Sequence, residues 1–129
     1  MVSNAPDRIL FVDDDRAACW MMEKLLGRLG YKVDVAGLAQ VALKLVEESD
    51  FALVILDFML PEMNGLELFR RMQKFRPGLR GIFLTGYAAP ASEAARLEDG
   101  VEMVLEKPLV LEELAPVLQD AVWKCMNRA

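Results

Sequence analysis

The chain has 129 residues, of which 54% are hydrophobic and 27% charged, a composition typical of a compact domain and not of a disordered segment. Its formal net charge of −5 argues against a nucleic-acid surface, because phosphate backbones are bound by clusters of Lys and Arg. The absence of histidine from the sequence excludes Ser-His-Asp and Cys-His catalysis and any metal site with an imidazole ligand. Cys19 and Cys125 lack metal-type spacing, so we interpret both as reduced, structural thiols.

The length fits one domain with a single core, over about residues 8–126. The longest apolar runs, such as Phe51 to Leu56, have the length of a strand and not of a membrane span. The first residues, MVSNAPDR, lack the apolar core of a signal peptide. We therefore expect a cytoplasmic domain that does not enter a membrane.

Short β-type runs alternate along the chain with longer segments of helical periodicity. The runs are RILFVD, YKVDVA, FALVILD, RGIFLT and VEMVLE. The first helical segment shows apolar residues at helical spacing, among them Ala17, Trp20, Met21, Leu25 and Leu29. A βα unit repeated five times predicts an α/β fold, a doubly wound five-stranded parallel sheet covered by helices on both faces in a flavodoxin-like three-layer sandwich.

Several residues mark the ends of the predicted helices. Asp15 fits an N-terminal cap, and Asn64-Gly65 opens the third helical segment. Gly30 and Gly100 are typical residues at which helices end. Pro116 would fall past the first turn of a last helix that begins near Leu111, which predicts a kink or a later start. Trp20 and Trp123 are expected to be packing residues.

Polar residues follow four of the predicted strands. Asp13 and Asp14 follow the first, Asp57 the third, Thr85 the fourth and Lys107 the fifth. Because parallel strands end at one edge of a sheet, we expect these side chains to converge there. Hard carboxylate oxygens suit Mg²⁺, and a carboxylate beside such an ion can attack a phosphoryl group to give an acyl phosphate. Asp57 is the candidate nucleophile.

These motifs together resemble the receiver domains of two-component response regulators. The resemblance rests on Asp13-Asp14, Asp57, the Pro61 and Gly65 that follow it, Thr85 in FLTGYA, and Lys107-Pro108, in that order. It covers residues 8 to about 126, so that residues 1–129 would form a single receiver domain without an effector domain. It also implies the strand order 2-1-3-4-5.

The resemblance implies a signalling phosphoacceptor that catalyses only its own phosphorylation and dephosphorylation. Asp57 would receive a phosphoryl group from a phosphohistidine on a sensor histidine kinase or a histidine phosphotransfer protein. The resulting switch would control a downstream effector protein or an attached domain, and weak homodimerisation is compatible with the family. The sequence names neither the kinase nor the output.

The resemblance also assigns roles around Asp57. Mg²⁺, with Mn²⁺ as a substitute, would bind the carboxylates of Asp14 and Asp57 and the backbone carbonyl of Met59, with Asp13 held through water. Lys107 would pair with Asp57 and then with the phosphoryl group, to which Thr85 would donate its hydroxyl.

Four positions are expected to modulate the site. Lys107-Pro108 resembles the cis peptide of the family, which would aim the lysine into the site. The resemblance places Met59 and Tyr87 at the two positions that flank the path of the hydrolytic water in this family, and their bulk predicts slow self-dephosphorylation. Val104 stands where the family commonly has an aromatic switch residue, which argues against the usual rotamer switch.

Three other classes of protein compete with this interpretation. A flavodoxin-like electron carrier shares the topology, but three aspartates would repel the phosphate that its first loop must bind. An aspartyl phosphatase of the dehalogenase type usually has a second acid two residues after the nucleophile, where this chain has Met59. A pseudo-receiver would bind partners without being phosphorylated. This chain, however, lacks none of the acidic residues or the lysine on which the resemblance rests.

Overall fold

Strands and helices alternate along the residues that this computed structural model describes, which are 8–86, 95–107, 109 and 111–127. The strands are β1 (Arg8–Val12), β2 (Lys32–Ala36), β3 (Leu53–Asp57), β4 (Gly81–Thr85) and β5 (Val101–Glu106). The α-helices in the described part are α1 (Arg16–Arg28), α2 (Ala39–Glu48), α3 (Gly65–Phe75) and α4 (Leu111–Met126), and a 3-10 turn spans Ala95–Leu97. The helix predicted between β4 and β5 falls largely on residues 87–94, outside the described residues.

The five strands form one parallel sheet in the order β2-β1-β3-β4-β5, which confirms the predicted topology. The register pairs Val12 with Leu56 and Asp57 with Leu84. It pairs Thr85 with Glu106 at the end of β5. The strands thus end level with one another, and the residues that follow them share one edge of the sheet.

The core lies on both faces of the sheet, because alternate strand residues point to opposite sides. In β1, Ile9 and Phe11 belong to the cluster with α1 and α4, and Leu10 and Val12 belong to the cluster with α2 and α3. All five residues of β3 are buried. This is the burial expected of a central parallel strand with helices above and below it.

Local signals set the ends of α1 and α3 as predicted. The Asp15 side chain accepts hydrogen bonds from the backbone N–H groups of Ala17 and Ala18. Asn64 caps α3 by accepting from the N–H of Glu67. Gly30, with φ of 97°, follows α1 in the left-handed conformation that glycine adopts readily.

The last helix begins at Leu111, so Pro116 lies past its first turn. Of the two predicted alternatives, a kink or a later start, this start leaves the kink. The kink stays a prediction, and Val110, which precedes the helix, lies outside the described residues. The ring of Pro116 removes one backbone donor from the helix, a local cost that the buried contacts of Leu114 and Leu118 offset.

The tryptophans of α1 and α4 lie outside the core. Met22 and Leu26 of α1 are buried, whereas Trp20 is 61% exposed. The Lys24 ammonium lies over the Trp20 ring, 5.1 Å from the ring centroid. Trp123 on α4 is 62% exposed. Both tryptophans were predicted to be packing residues, and the large exposure of both side chains does not agree with that prediction.

Among the described residues, no helix is both long enough and apolar enough to cross a membrane.

Candidate functional site

The ends of β1 and β3 bring three carboxylates together. Asp13 and Asp14 follow β1 directly, and Asp57 is the last residue of β3. One carboxylate oxygen from each lies within 4.8 Å of the others. Asp13 and Asp57 are buried and Asp14 is exposed, so the cluster sits at the surface with two of its members inside the fold.

Both carboxylate oxygens of Asp13 accept hydrogen bonds. Its Oδ1 accepts from the backbone N–H of Asp15 at 3.0 Å, and its Oδ2 accepts from Lys107 Nζ at 3.3 Å. Burial raises the pKa of this carboxyl above its usual value, and the charge of Asp57 adds to the rise. The Asp15 amide and Lys107 oppose that rise without cancelling it.

Lys107 joins the two buried carboxylates. Its Nζ donates to Asp57 Oδ2 at 3.1 Å as well as to Asp13 Oδ2. Burial lowers the pKa of this ammonium, but the hydrogen bond to Asp57 and the charges of Asp13 and Asp57 outweigh it, so the pKa is raised overall. The ammonium therefore stays charged at neutral pH and offsets repulsion within the acidic cluster.

Thr85 lies beside this group at the end of β4. It is 5% exposed, and it follows Leu84, the residue that pairs with Asp57 across the sheet. Its carbonyl accepts from the backbone N–H of Lys107 at 2.8 Å, which ties the ends of β4 and β5 together. The hydroxyl, Asp57 and the ammonium thus belong to three neighbouring strand ends.

The loop between β3 and α3, residues 58–64, is folded back on itself. The N–H of Met59 donates to Asp57 Oδ1 at 3.1 Å, and Met59 forms an antiparallel bridge with Asn64. The N–H of Gly65 donates to the Phe58 carbonyl at 2.6 Å. A Cβ on Gly65 would lie 2.6 Å from the Asp57 carbonyl oxygen, so only glycine allows the loop to close this tightly.

The donor set fits a hard cation. Three carboxylates within one ion's reach offer oxygen ligands only, which is the preference of Mg²⁺ and Ca²⁺. A groove of about 490 Å³ opens beside Asp13 and Asp14, and Trp20 and Leu38 form part of its walls. The cluster is therefore open to solvent on the side of Asp14.

The structure brings Asp13, Asp14, Asp57, Thr85 and Lys107 together as the strand-end argument predicted. Tyr87 and Pro108 lie outside the described residues, as does the side chain of Cys125, so the predictions about them stay predictions.

Three contacts of the described residues have no signal in the sequence. Cys19 donates its Sγ hydrogen to the Asp13 carbonyl at 3.2 Å. Glu62 accepts from the N–H of Ala39 at 3.4 Å, across 23 residues of chain. Val104 is 4% exposed, and its carbonyl accepts from the Arg96 guanidinium at 3.0 Å. The Val104 contact also joins the segment after β4 to β5.

Comparison with known families and proteins agrees with this geometry. Residues 9–119 match the family model described as the response regulator receiver domain. Over 114 residues, 88% of the chain, the sequence is 35% identical to the DNA-binding transcriptional regulator NtrC of Azospirillum brasilense. The matched part is 24% of that protein, and the chain spans about a quarter to a half of the length of its first curated relatives.

Solved structures show the same fold. A CheY-like response regulator receiver domain protein from Methanospirillum hungatei has a TM-score of 0.85 and 33% identity, covering 92% of this chain and 95% of its own. The response regulator protein TrrA from Thermotoga maritima, solved in complex with Mg²⁺-BeF, has a TM-score of 0.79 and 28% identity. That match covers 89% of this chain and 98% of the other.

Proposed function

The chain belongs to the response regulator receiver domain family of two-component systems, and on that premise we propose that Asp57 is its phosphoacceptor in a Mg²⁺-dependent reaction. Asp57 supplies a carboxylate oxygen that forms the new P–O bond as the P–N bond of a phosphohistidine breaks. The product is an acyl phosphate on Asp57 and a neutral imidazole on the donor, which takes up the released electron pair.

The residues around Asp57 suit the charge that develops on the phosphoryl oxygens. Lys107 already donates to Asp57 Oδ2, so its ammonium lies within reach of an oxygen added there. Thr85, buried at the adjacent strand end, would donate its hydroxyl to a second phosphoryl oxygen. The backbones of the two residues are already bonded to each other, so the Thr85 side chain would have only a short distance to move in towards the phosphoryl group.

Asp14, Asp57 and the backbone carbonyl of Met59 would hold the ion, with Asp13 bound to it through water. When bound there, Mg²⁺ would supply positive charge that offsets the negative charge of these carboxylates and of the phosphoryl oxygens. The structure of TrrA in complex with Mg²⁺-BeF supports Mg²⁺ as the ion. Mn²⁺ would substitute, because it accepts the same oxygen ligands.

The single observation that carries the proposal is the contact of Lys107 with Asp57 and Asp13 at the strand ends. A capping cluster of acids would need no lysine ammonium bonded to two of its members. A flavodoxin-like carrier would need phosphate-binding donors where this chain has Asp13 and Asp14.

The partners follow from the family. The donor would be a sensor histidine kinase or a histidine phosphotransfer protein, and the phosphorylated domain would act on an effector protein or an attached domain. Met59, 67% exposed, would limit the access of water to the acyl phosphate together with Tyr87. Val104 stands in place of the usual aromatic switch residue. The conformational change on phosphorylation would therefore be transmitted by movements of Thr85 and its neighbouring loop.

Incubation with acetyl phosphate tests the proposal without a partner. With Mg²⁺, the protein should gain one phosphoryl group by intact mass, and with EDTA it should gain none. Labelling that is equal with and without metal would contradict the mechanism. No labelling under any condition, with the fold intact by circular dichroism, would favour the pseudo-receiver.

A further inference from the structure

The start of α2 has no cap of its own. Its N-cap residue is Leu38, whose side chain makes no capping hydrogen bond, and the first turn contains no acidic residue. α1 and α3, by contrast, are capped by Asp15 and Asn64. The first N–H groups of a helix need acceptors, and an anion is favoured beside them.

Glu62 supplies that acceptor from another part of the chain. Its Oε2 accepts from the N–H of Ala39, the first residue of α2, at 3.4 Å. Glu62 is exposed and lies in the 58–64 loop, the loop that follows Asp57. A carboxylate at this position stabilises the start of α2 through the hydrogen bond and through the helix dipole.

The 58–64 loop links Glu62 firmly to the candidate site. Met59 is bonded to Asp57 through its N–H and bridged to Asn64 across the loop, and Gly65 closes the loop on Phe58. Glu62 lies between the two bridged residues. Glu62 and Met59 therefore belong to the same closed loop.

The start of α2 adjoins the other half of the acidic cluster. The N–H of Asp13 donates to the carbonyl of Ala36 at 3.1 Å, two residues before Leu38. A Cβ on Gly37 would lie 3.8 Å from the Asp13 carbonyl oxygen. The hydrogen bond between Glu62 and Ala39 thus joins two segments of the site. One is the loop that follows Asp57, and the other is the start of α2, close to the Ala36 carbonyl that binds Asp13.

We propose that Glu62 is a positioning residue, which holds the 58–64 loop against α2 and so fixes the distance between the Asp13-Asp14 half and the Asp57-Met59 half of the cation site. This role rests on the proposed function, since it concerns the same Mg²⁺ site. Coupling between sites is reciprocal, so Mg²⁺ binding in turn strengthens the contact between Glu62 and Ala39.

Calorimetric titration of Mg²⁺ into the wild type and three variants tests this role. Glu62→Ala should raise the Kd about fivefold, at the low end of coupling between sites. Glu62→Gln keeps an acceptor oxygen, so its Kd should stay within about twofold of the wild type. Glu67→Ala is the matched control, because it removes the same charge from a residue that pairs with Arg71 on its own helix.

Amide hydrogen exchange adds a readout that a purely structural role would not change. In the wild type, Mg²⁺ should slow the exchange of the Ala39 N–H. In Glu62→Ala, Mg²⁺ should leave that exchange unaffected.

Each remaining outcome overturns a different statement. If wild type and Glu62→Ala bind Mg²⁺ equally while α2 is destabilised, Glu62 is only a cap and the positioning role is wrong. If Glu62→Gln and Glu67→Ala weaken binding as much as Glu62→Ala, general charge explains the effect and the role is again wrong. If the wild type binds no Mg²⁺, the proposed function fails and this role fails with it.

Discussion

Asp13 carries a charge that the fold disfavours. Its side chain is almost fully buried, and burial raises the pKa of its carboxyl despite the hydrogen bonds from Asp15 and Lys107. At neutral pH the ionised carboxylate therefore costs stability as long as no divalent cation is bound. A site that must bind a cation gains affinity from this unfavourable charge.

Asp13→Asn should stabilise the protein in EDTA at pH 7, by on the order of 1 kcal/mol. The amide oxygen can still accept from the N–H of Asp15, and Lys107 keeps its contact with Asp57. Urea unfolding measures the change, and the same variant should gain less from added Mg²⁺ than the wild type does. Equal stability of variant and wild type in EDTA, with Mg²⁺ stabilising both alike, would contradict this account.

Two glycines should respond to alanine in opposite ways. A Cβ on Gly65 would lie 2.6 Å from the Asp57 carbonyl oxygen and 3.0 Å from Phe58 Cα, both backbone atoms that cannot move aside cheaply. Gly65→Ala should therefore destabilise the fold by about 2–4 kcal/mol. Gly27 lies within α1 with nothing within 4 Å of a built Cβ, so Gly27→Ala should stabilise by about 0.5–1 kcal/mol. Chemical denaturation measures the free energy of unfolding of both variants. A loss of stability in Gly27→Ala, or no loss in Gly65→Ala, would contradict the packing described at these two positions.

At the scale of elements, α2 is stabilised by residues that lie outside it. Glu62 accepts from its first N–H, and Arg76 donates to the carbonyls of Val46 and Glu47 in its last turn at 3.0 and 3.2 Å. The last turn of α2 contains no basic residue of its own. Both ends of α2 thus depend on the segments that flank α3.

Arg76→Ala should destabilise the protein by about 1–2 kcal/mol, because two carbonyls at the end of α2 lose a charged donor. Arg71→Ala is the control, since the exposed pair of Arg71 with Glu67 should contribute less than about 0.5 kcal/mol. Thermal and urea unfolding give the two values. Equal losses at the two positions would mean that Arg76 is only another surface charge.

The sequence predicts those features that depend on neighbouring residues. The strand-end placement of Asp57, the cap at Asp15 and the helix end at Gly30 each follow from a pattern within one or two turns of chain. The contacts of Glu62 and Arg76 join residues 23 and 30 positions apart, so no local pattern indicates them. The exposure of Trp20 and Trp123 was not predicted, because an apolar residue in a helix does not by itself indicate that its side chain is buried.

At the scale of the whole molecule, the two cores lie on opposite faces of one sheet, and the site lies where the sheet ends. Leu56 belongs to the cluster with α2 and α3, while Ile55 belongs to the cluster with α1 and α4. The strand that ends at Asp57 therefore packs against both layers of helices. This position suits a domain whose chemistry must be read out at its surface.

The stability of the whole domain should fall at alkaline pH, in part through Tyr31. Burial raises the pKa of this phenol above its usual value near 10, so between the unfolded and folded pKa values the folded state binds the additional proton. Stability is therefore lost as pH rises through about 10. Tyr31→Phe should make that fall shallower when the free energy of unfolding is measured from about pH 8 to 11. Identical slopes for variant and wild type would contradict the burial of the phenol.

Locating the phosphoryl group tests the central claim most directly. The protein would be phosphorylated with acetyl phosphate and Mg²⁺ and reduced with borohydride, which converts an aspartyl phosphate to homoserine, and the altered residue would then be found by peptide mass spectrometry. Asp57 should be the residue converted, and Asp57→Asn should fold and take up no label. Conversion at Asp13 or Asp14 instead, or equal labelling of Asp57→Asn and wild type, would contradict the assignment of Asp57 as the phosphoacceptor.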